Sequence, residues 1–228
     1  MDNSWTLVET TRPSLPFPPI SQREPIRTQR LIIRPMREEE DLEAYHQMRL
    51  EPETMLGTKL GRPDRDIDES RQALKVFLPS NDSQSFLFGI FLASTGEFLG
   101  DGGVHTLESS YSGWPEVGYK LKKAFWGQGY ATEFVRGLLD AWWKLPRSHV
   151  KLRVASLSVE KSGETEAVEQ VFAMADKENI GSQKVLLKLG FTQFLEWTEP
   201  HAHEHKRGQL VTLVGYKVSR RVEDNLDA

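Results

Sequence analysis

The stretch "KKAFWGQGYATEF", residues 122–134, places two glycines one residue apart between an aromatic pair and an apolar run. Apolar residues recur every four positions from Tyr130 to Trp142, which predicts an amphipathic helix ending near Leu145. The preceding segment "PEVGYKL" is typical of a strand. Gly127 and Gly129 are therefore predicted to form the turn that leads from this strand into the helix.

Such a turn has the properties of a phosphate-binding site. The first N–H groups of a helix have no partner within the helix, and the helix dipole adds about half a positive charge there. Glycines allow the backbone to approach an anion closely, and Lys120, Lys122 and Lys123 supply cations at the rim. Two glycines before a helix are also common in turns that bind no ligand, and the spacing matches neither a P-loop nor a dinucleotide fingerprint. The turn alone leaves both interpretations open.

Composition limits the classes of partner. A chain of 228 residues that is 38% hydrophobic and 27% charged suits one sizeable domain. A net charge of −4 favours a small ligand over nucleic acid or a membrane surface. The absence of cysteine excludes disulfides, thiolate metal ligands and a cysteine nucleophile. Without a long apolar run or a signal pattern, we expect a soluble cytoplasmic protein, with the nucleus left open.

The chain divides by composition. Residues 1–27 are rich in proline and are expected to form an extended, partly disordered arm before a domain spanning residues 28–219. Two segments, "VKLRVASLSV" and "VEQVFAMAD", compete for one place in the central sheet. We favour the second, which makes residues 148–168 an insertion. Residues 220–228 form a charged tail that is expected to fray.

A second motif lies downstream, in "ENIGSQKVLLKLGF", residues 178–191. It predicts a short helix with Asn179 at the N-cap and Gly190 just after the last turn. Together with "EVGYKLKKAFWGQGYATEF", this segment resembles the GNAT N-acetyltransferases, in the branch similar to the RimJ/RimL ribosomal-protein N-terminal acetyltransferases. That branch carries a "WGxGYATE" turn and an "NxxSxxVLxKxGF" helix in this order. The resemblance extends to "RLIIRPM" and "EEEDLEAYHQMR" and covers residues 28–219.

The resemblance implies a mixed α+β fold. Its central, mostly antiparallel seven-stranded sheet is splayed at the middle and flanked by helices, with acetyl-CoA as cosubstrate in the gap and no metal. The diphosphate would lie on the turn N–H groups, and the pantetheine arm along the edge of residues 117–121. The expected cofactor-binding residues are Val117, Tyr119, Leu121, Trp126, Gly127, Gln128, Gly129, Tyr130, Ala131, Thr132, Asn179 and Ser182.

Acetyl transfer to nitrogen requires a neutral amine, a polarised carbonyl and a proton for the departing thiolate. Glu116 is the first candidate base, directly or through water, although a solvated carboxylate at a strand end explains it equally well. His105 is the second candidate. The backbone N–H of Tyr119 or Lys120 is expected to polarise the carbonyl.

The proton donor differs from that of many family members. They carry a tyrosine where this chain has Leu186, so the resemblance leaves Ser182 as the catalytic group near the sulfur. Capping of the helix end explains Asn179 and Ser182 as well, and capping and cofactor contact are compatible.

Two loops are candidates for other roles. In "LESSYSGWPE", Tyr111 and Trp114 are predicted to wall the acceptor pocket, with a loop that merely covers a sheet edge as the alternative. In "HAHEH", residues 201–205, alternating histidines suit a metal, but the flanking proline, lysine and glycine favour a hairpin loop, and no metal is predicted.

The sequence thus predicts an acetyl-CoA-dependent N-acetyltransferase that acts by direct attack in a ternary complex. The acceptor is a primary amine, either a peptide N-terminus or a small amine, and its identity stays open. The alternative is a non-catalytic module on the same fold that binds acyl-CoA or a protein. Neither a nucleic acid nor a membrane is an expected partner, and a monomer and a homodimer are equally compatible with the sequence.

Overall fold

The computed structural model describes residues 4–81, 83–159, 165–203 and 206–220. The strands are β1 (Trp5–Pro13), β2 (Ile26–Arg27), β3 (Leu31–Arg34), β4 (Phe86–Leu92), β5 (Phe98–Thr106), β6 (Glu116–Leu121), β7 (Arg147–Ala155), β8 (Gln170–Asp176), β9 (Thr192–Pro200) and β10 (Leu210–Ser219). The helices are α1 (Glu38–Arg49), α2 (Pro52–Leu56), α3 (Ile67–Leu74), α4 (Tyr130–Trp143) and α5 (Ile180–Lys188).

The large sheet has the strand order β2-β3-β4-β5-β6-β8-β10-β9. Its pairings are antiparallel except for the parallel pair β6–β8. This confirms the predicted mixed fold with a mostly antiparallel sheet and flanking helices. The sheet has eight strands where the resemblance implies seven, because the two-residue strand β2 adds to the edge of β3.

The sheet opens at its middle. Strands β6 and β8 pair only at Glu116 and Phe172, where the Phe172 N–H donates to the Pro115 carbonyl (2.7 Å). Beyond this point β6 remains paired with β5 on one side, while β8 pairs with β10. One edge of β6 therefore faces a gap, as the splayed sheet requires.

Helices cover both faces of the sheet. Alternate residues of β4 belong to different clusters, with Phe88 in one and Leu87 in the other, because side chains of a strand alternate between the two faces. Helices α4 and α5 pack on the first face, and α1 and α3 on the second. Trp142 of α4 is fully buried in the core, as the apolar face of the predicted helix requires. No helix in the described part of the chain is long and apolar enough to cross a membrane.

The N-terminal arm differs from its prediction. Strand β1 pairs with β7 over nine residues in a second, two-stranded sheet, and Phe17 lies in the main core with 2% of its surface exposed. The arm is ordered here because "WTLVETTRP" carries β-branched residues and its prolines come only at and after the strand end. It is thus part of the packed structure rather than a leader before it.

The segment 148–168 lies outside the large sheet, in its described parts 148–159 and 165–168, and supplies most of β7. Strand β8 occupies the place in the large sheet, which confirms the choice of "VEQVFAMAD". The charged tail beyond Arg220 lies outside the described residues.

Candidate active site

The glycine turn exposes a row of backbone donors. Gly127 (φ +72°) and Gly129 (φ +85°) are both in the left-handed region, and Gly129 is the N-cap of α4. No side chain of the residues that the structure describes caps this helix, and its first internal hydrogen bond runs from the Glu133 N–H to the Gly129 carbonyl (3.0 Å). The N–H groups of residues 129–132 consequently have no acceptor within the helix. A Cβ added at Gly127 would meet no atom within 4 Å, so open space lies beside the turn.

Two side chains of the turn bind back to its own backbone. The Trp126 indole N–H donates to the Leu121 carbonyl (2.7 Å), and the Gln128 amide donates to the Ala124 carbonyl (2.7 Å). The Trp126 ring nevertheless stays 49% exposed. These two bonds fix the turn through its own residues and leave its outer side open.

A cluster that the sequence did not reveal holds the turn from the other side. Glu133 accepts hydrogen bonds from the Thr28 hydroxyl (2.6 Å), the Arg30 N–H (2.7 Å) and Arg30 Nε (2.7 Å). Burial raises the pKa of Glu133, but these donors outweigh it and hold the pKa below its usual value. The partners are about a hundred residues apart in sequence, and no local pattern links them.

The gap edge of β6 offers main-chain groups. Because the Pro115 carbonyl faces β8, the alternating backbone directs the N–H and C=O groups of Val117 and Tyr119 to the same side. The N–H of Lys120 lies on the β5 side, so of the two predicted donors only the Tyr119 N–H faces the gap. The Leu121 carbonyl also differs from expectation, because Trp126 and the Thr54 hydroxyl (3.2 Å) already donate to it.

The second motif meets this edge across the gap. The Asn179 side chain caps α5 by accepting from the Ser182 N–H (3.0 Å). The Ser182 hydroxyl in turn lies 3.1 Å from the Tyr119 hydroxyl. Burial raises the pKa of Tyr119 and the bond to Ser182 lowers it less, so this phenol keeps its proton at neutral pH. Leu186 is buried in the core.

The two candidate bases lie together. Glu116 is 6% exposed, and its Oε2 accepts from the Ser109 hydroxyl (2.6 Å). Its Oε1 is 3.5 Å from Nε2 of His105, whose side chain is 44% exposed. The His105 ring lies against Gly118, where an added Cβ would come within 3.3 Å of Nδ1. Glu116 is therefore a buried carboxylate with a histidine between it and solvent, not the solvated group of the alternative interpretation.

A cleft of about 540 Å³ begins at His105. Its walls come from the N-terminal arm, the turn after α3, strand β4 and the end of β5. They include Arg12, Leu15, Val76, Leu87, His105 and Glu108. Arg12 and Glu108 form an ion pair (2.8 Å), and the leucines and Val76 make part of the surface apolar. The cleft thus connects the exposed side of His105 with solvent.

Trp114 is not a pocket wall. It is fully buried, its indole N–H donates to the Ser158 hydroxyl (2.8 Å), and it packs with Val8 and Leu152. The prediction was wrong because the small sheet that covers Trp114 comes from segments far away in sequence. Tyr111 remains half-buried and stacks on Trp197, with ring centroids 4.7 Å apart.

Tyr111 is also tied to strand β9. Its hydroxyl donates to Glu199 Oε1 (3.0 Å). Burial, followed by the bond to Glu199, raises the pKa of Tyr111 to about 12. This phenol therefore acts as a neutral donor at physiological pH.

The histidine loop connects β9 and β10 as predicted, and it docks on another loop. His203 is 6% exposed and its Nε2–H donates to the Thr58 carbonyl (2.7 Å). Its ring centroid is 4.2 Å from that of His201, and His205 lies outside the described residues. In the described ranges no group of three His, Cys, Asp or Glu side chains is arranged to hold a metal.

The splayed sheet and the glycine turn at its opening together define a fold of the GNAT type. Residues 30–192 match the family model of the acetyltransferase (GNAT) domain. The chain therefore belongs to this family, which is one of acyltransferases.

Known proteins agree with this assignment. An uncharacterized N-acetyltransferase, p20, from Bacillus licheniformis is 30% identical over 118 residues, which are 51% of this chain and 65% of that protein, just under two thirds of its length. A GNAT acetyltransferase from Bacillus anthracis superposes with a TM-score of 0.62 at 18% identity, covering 86% of this chain and 98% of that one. RimL, a ribosomal L7/L12 alpha-N-protein acetyltransferase solved with coenzyme A, superposes with a TM-score of 0.60 at 17% identity, covering 86% of this chain and 98% of that one. These structures share the fold.

Proposed function

We propose that this chain is an acetyl-CoA-dependent N-acetyltransferase that acts on a primary amine by direct attack in a ternary complex. The observation that carries the proposal is the row of N–H groups at residues 129–132, which have no hydrogen-bond acceptor among the described residues. They stand next to the unpaired edge of β6, in a chain that belongs to the GNAT family.

The residues at the opening suit acetyl-CoA, which supplies an activated acetyl thioester. Four main-chain donors at a helix N-terminus match the charge and size of a diphosphate. The Val117 and Tyr119 main-chain groups suit the amides of a pantetheine arm, which binds like an added strand. Trp126, Gln128 and Asn179 border the same region and complete the proposed contact surface.

The amine is proposed to enter through the cleft at His105. Glu116 takes its proton, directly or through His105, which stands 3.5 Å away on the path to solvent. The Tyr119 N–H faces the gap and stabilises negative charge on the carbonyl oxygen. The new bond joins the amine nitrogen to the acetyl carbon, and the carbon–sulfur bond breaks.

The departing sulfur needs a proton, which Ser182 or Tyr119 gives. Their hydroxyls are 3.1 Å apart and lie where the two halves of the sheet diverge. Because the pKa of Tyr119 is raised, its phenol is protonated and able to replace a proton lost by Ser182. This pair takes the role that Leu186 is unable to fill.

The proposed acceptor is a peptide N-terminus or a small amine of similar basicity. At pH 7 an α-amine with a pKa of about 7.8 costs about 1 kcal/mol to deprotonate, whereas a lysine near 10.4 costs about 4.6 kcal/mol. A carboxylate assisted by histidine is a modest base, so the weaker amine is favoured. The similarity to RimL, whose name describes α-N-protein acetylation, agrees with this choice.

The decisive experiment follows thiol release from acetyl-CoA with a library of amines and of peptides with free N-termini. We expect turnover with at least one peptide N-terminus, faster than with the same peptide blocked at its α-amine but carrying a free lysine. Calorimetry with coenzyme A runs in parallel. Binding without any turnover would favour the non-catalytic module that binds acyl-CoA, and failure to bind coenzyme A would contradict both the enzyme and that module.

A further inference from the structure

Arg30 is held rigidly beside the glycine turn. Its Nε donates to Glu133 (2.7 Å), its Nη1 donates to the Gln128 carbonyl (3.1 Å), and its guanidinium lies 4.3 Å from the centroid of the Tyr130 ring. Three separate contacts thus fix one planar cation. Since all three partners belong to the turn or to the first turn of α4, the guanidinium keeps its position relative to that backbone.

One nitrogen of this guanidinium, Nη2, remains available as a donor. The side chain is 40% exposed, and in the described part of the chain Nη2 donates no hydrogen bond. Nη2 would be 3.4 Å from a Cβ added at Gly129, the residue whose N–H begins the row of donors. An oriented cationic donor therefore stands at the same opening as the main-chain donors.

The charge of Glu133 gives Arg30 a second effect. Glu133 is in the first turn of α4, and hydrogen bonding keeps it ionised at neutral pH. An unpaired carboxylate at this place would repel an anion that approaches the N-terminus of the helix. Arg30 neutralises it while still presenting Nη2, so the local potential remains favourable for an anion.

From these contacts we infer that Arg30 is a cofactor-binding residue whose Nη2 donates to the diphosphate of coenzyme A. The inference rests on the proposed function and names a side chain for an anion that otherwise contacts main-chain groups. A bond between a guanidinium and a phosphate oxygen is of the strong, charge-assisted kind. Arginine is suited to this task because its stacked fork is oriented before the ligand arrives.

The test compares three ligands with three forms of the full chain. The ligands are coenzyme A, 3′-dephospho-coenzyme A, which keeps the diphosphate, and pantetheine, which lacks it. The proteins are the wild type, Arg30→Met and the matched control Arg27→Met, an exposed arginine in β2 three residues away. Dissociation constants come from calorimetry, with competition for the weak ligand, and urea unfolding checks that each variant folds.

We expect Arg30→Met to bind coenzyme A and its dephospho form about tenfold or more weakly, as a lost charge-assisted bond predicts, with pantetheine unchanged. Arg27→Met should match the wild type. An equal loss for all three ligands would reduce Arg30 to a structural role, and a loss confined to coenzyme A would move it to the 3′-phosphate. Either result, or no loss at all, overturns the inference.

Arg30→Lys separates charge from geometry, in case Arg30→Met fails to fold. It keeps a cation near Glu133 but loses the stacked fork, so we expect a smaller loss that is again confined to ligands with a diphosphate. A wild type that binds none of the three ligands refutes the proposed function itself. That outcome is distinct from a wild type that binds coenzyme A and an arginine variant that binds it equally well.

Discussion

Glu116 illustrates what single residues contribute. The Glu116 carboxylate is buried and accepts a hydrogen bond from Ser109. It also lies beside His105, and the His105 side chain lines the cleft. A buried acid joined to an exposed histidine suits proton removal from an amine in the cleft.

We expect Glu116→Gln to lower kcat by about a hundredfold, within the range for a lost general base, and to leave the KM for acetyl-CoA nearly unchanged. Steady-state kinetics measure both constants. Glu97→Gln, an exposed change in the β4–β5 turn, is the control. A normal kcat for Glu116→Gln would remove this residue from the mechanism.

Gly129 provides a second residue-scale prediction. Gly129→Ile forces a β-branched residue into a left-handed conformation at the donor row, so affinity for coenzyme A should fall below detection in calorimetry. Gly96 is the matched control because it has a similar φ (+76°) and open space around it, but lies in the β4–β5 turn. Gly96→Ile should lose a similar amount of stability in urea and retain binding. Equal affinity of both variants for coenzyme A would show that the glycine turn is not the phosphate-binding site.

Glu133 links the turn to pH. Its pKa is lower in the folded state than in the unfolded chain, so its contribution to stability is complete above the ordinary glutamate pKa of about 4.3 and is lost as the pH falls through the folded value. Glu133→Gln should be less stable than the wild type at pH 7, and the difference should shrink toward pH 3. Urea midpoints across this range measure it, and a constant difference would show that the charge is irrelevant.

At the scale of elements, α5 depends on its cap. Asn179→Ala should destabilise the fold by about 1 kcal/mol, because the Ser182 N–H loses its acceptor. Asn179→Asp keeps an acceptor and should keep the urea midpoint, yet it places a carboxylate where the proposal has an amide near the cofactor. We therefore expect weaker binding of coenzyme A by this variant. Unchanged affinity would leave Asn179 as a cap alone.

The divergence of β6 and β8 is the element-scale feature on which the site depends. Both segments read as ordinary strands in the sequence, with apolar residues that suit a buried sheet. After Glu116 and Phe172 the two strands separate. Strand β8 continues in pairing with β10, and the Tyr119 hydroxyl contacts that of Ser182. Alternation predicts which residues share a face, but it carries no information on the angle between neighbouring strands.

At the scale of the whole molecule, the arm is part of the core. Phe17 packs between Phe86 and Trp142, with ring centroids 5.7 Å and 5.9 Å away. Phe17→Ala should therefore cost about 3–5 kcal/mol of unfolding free energy in urea. Leu15 is two positions away and 42% exposed, so Leu15→Ala should lower the unfolding free energy far less. Equal, small losses would mean that the arm docks only loosely.

The sequence by itself determined the features that depend on local order. The helix after the glycine turn, the N-cap at Asn179 and the candidate bases Glu116 and His105 follow from spacing and residue chemistry within short segments. The two paired motifs also determined the family, because their order and their shared glycine and capping residues are specific together. Such signals are local, because each lies entirely within a short segment of one strand, one turn and one helix.

Only the tertiary structure decided which distant segments meet. It buried Trp114 beneath the β1–β7 sheet, inserted Phe17 into the core and joined Arg30 to Glu133 beside the turn. Each of these contacts joins residues far apart in the chain, where the gain from burying apolar surface or pairing charges depends on the whole packed arrangement. For that physical reason a linear pattern identifies the two segments that carry the family motifs, whereas the fold selects the distant side chains that hold these segments in place.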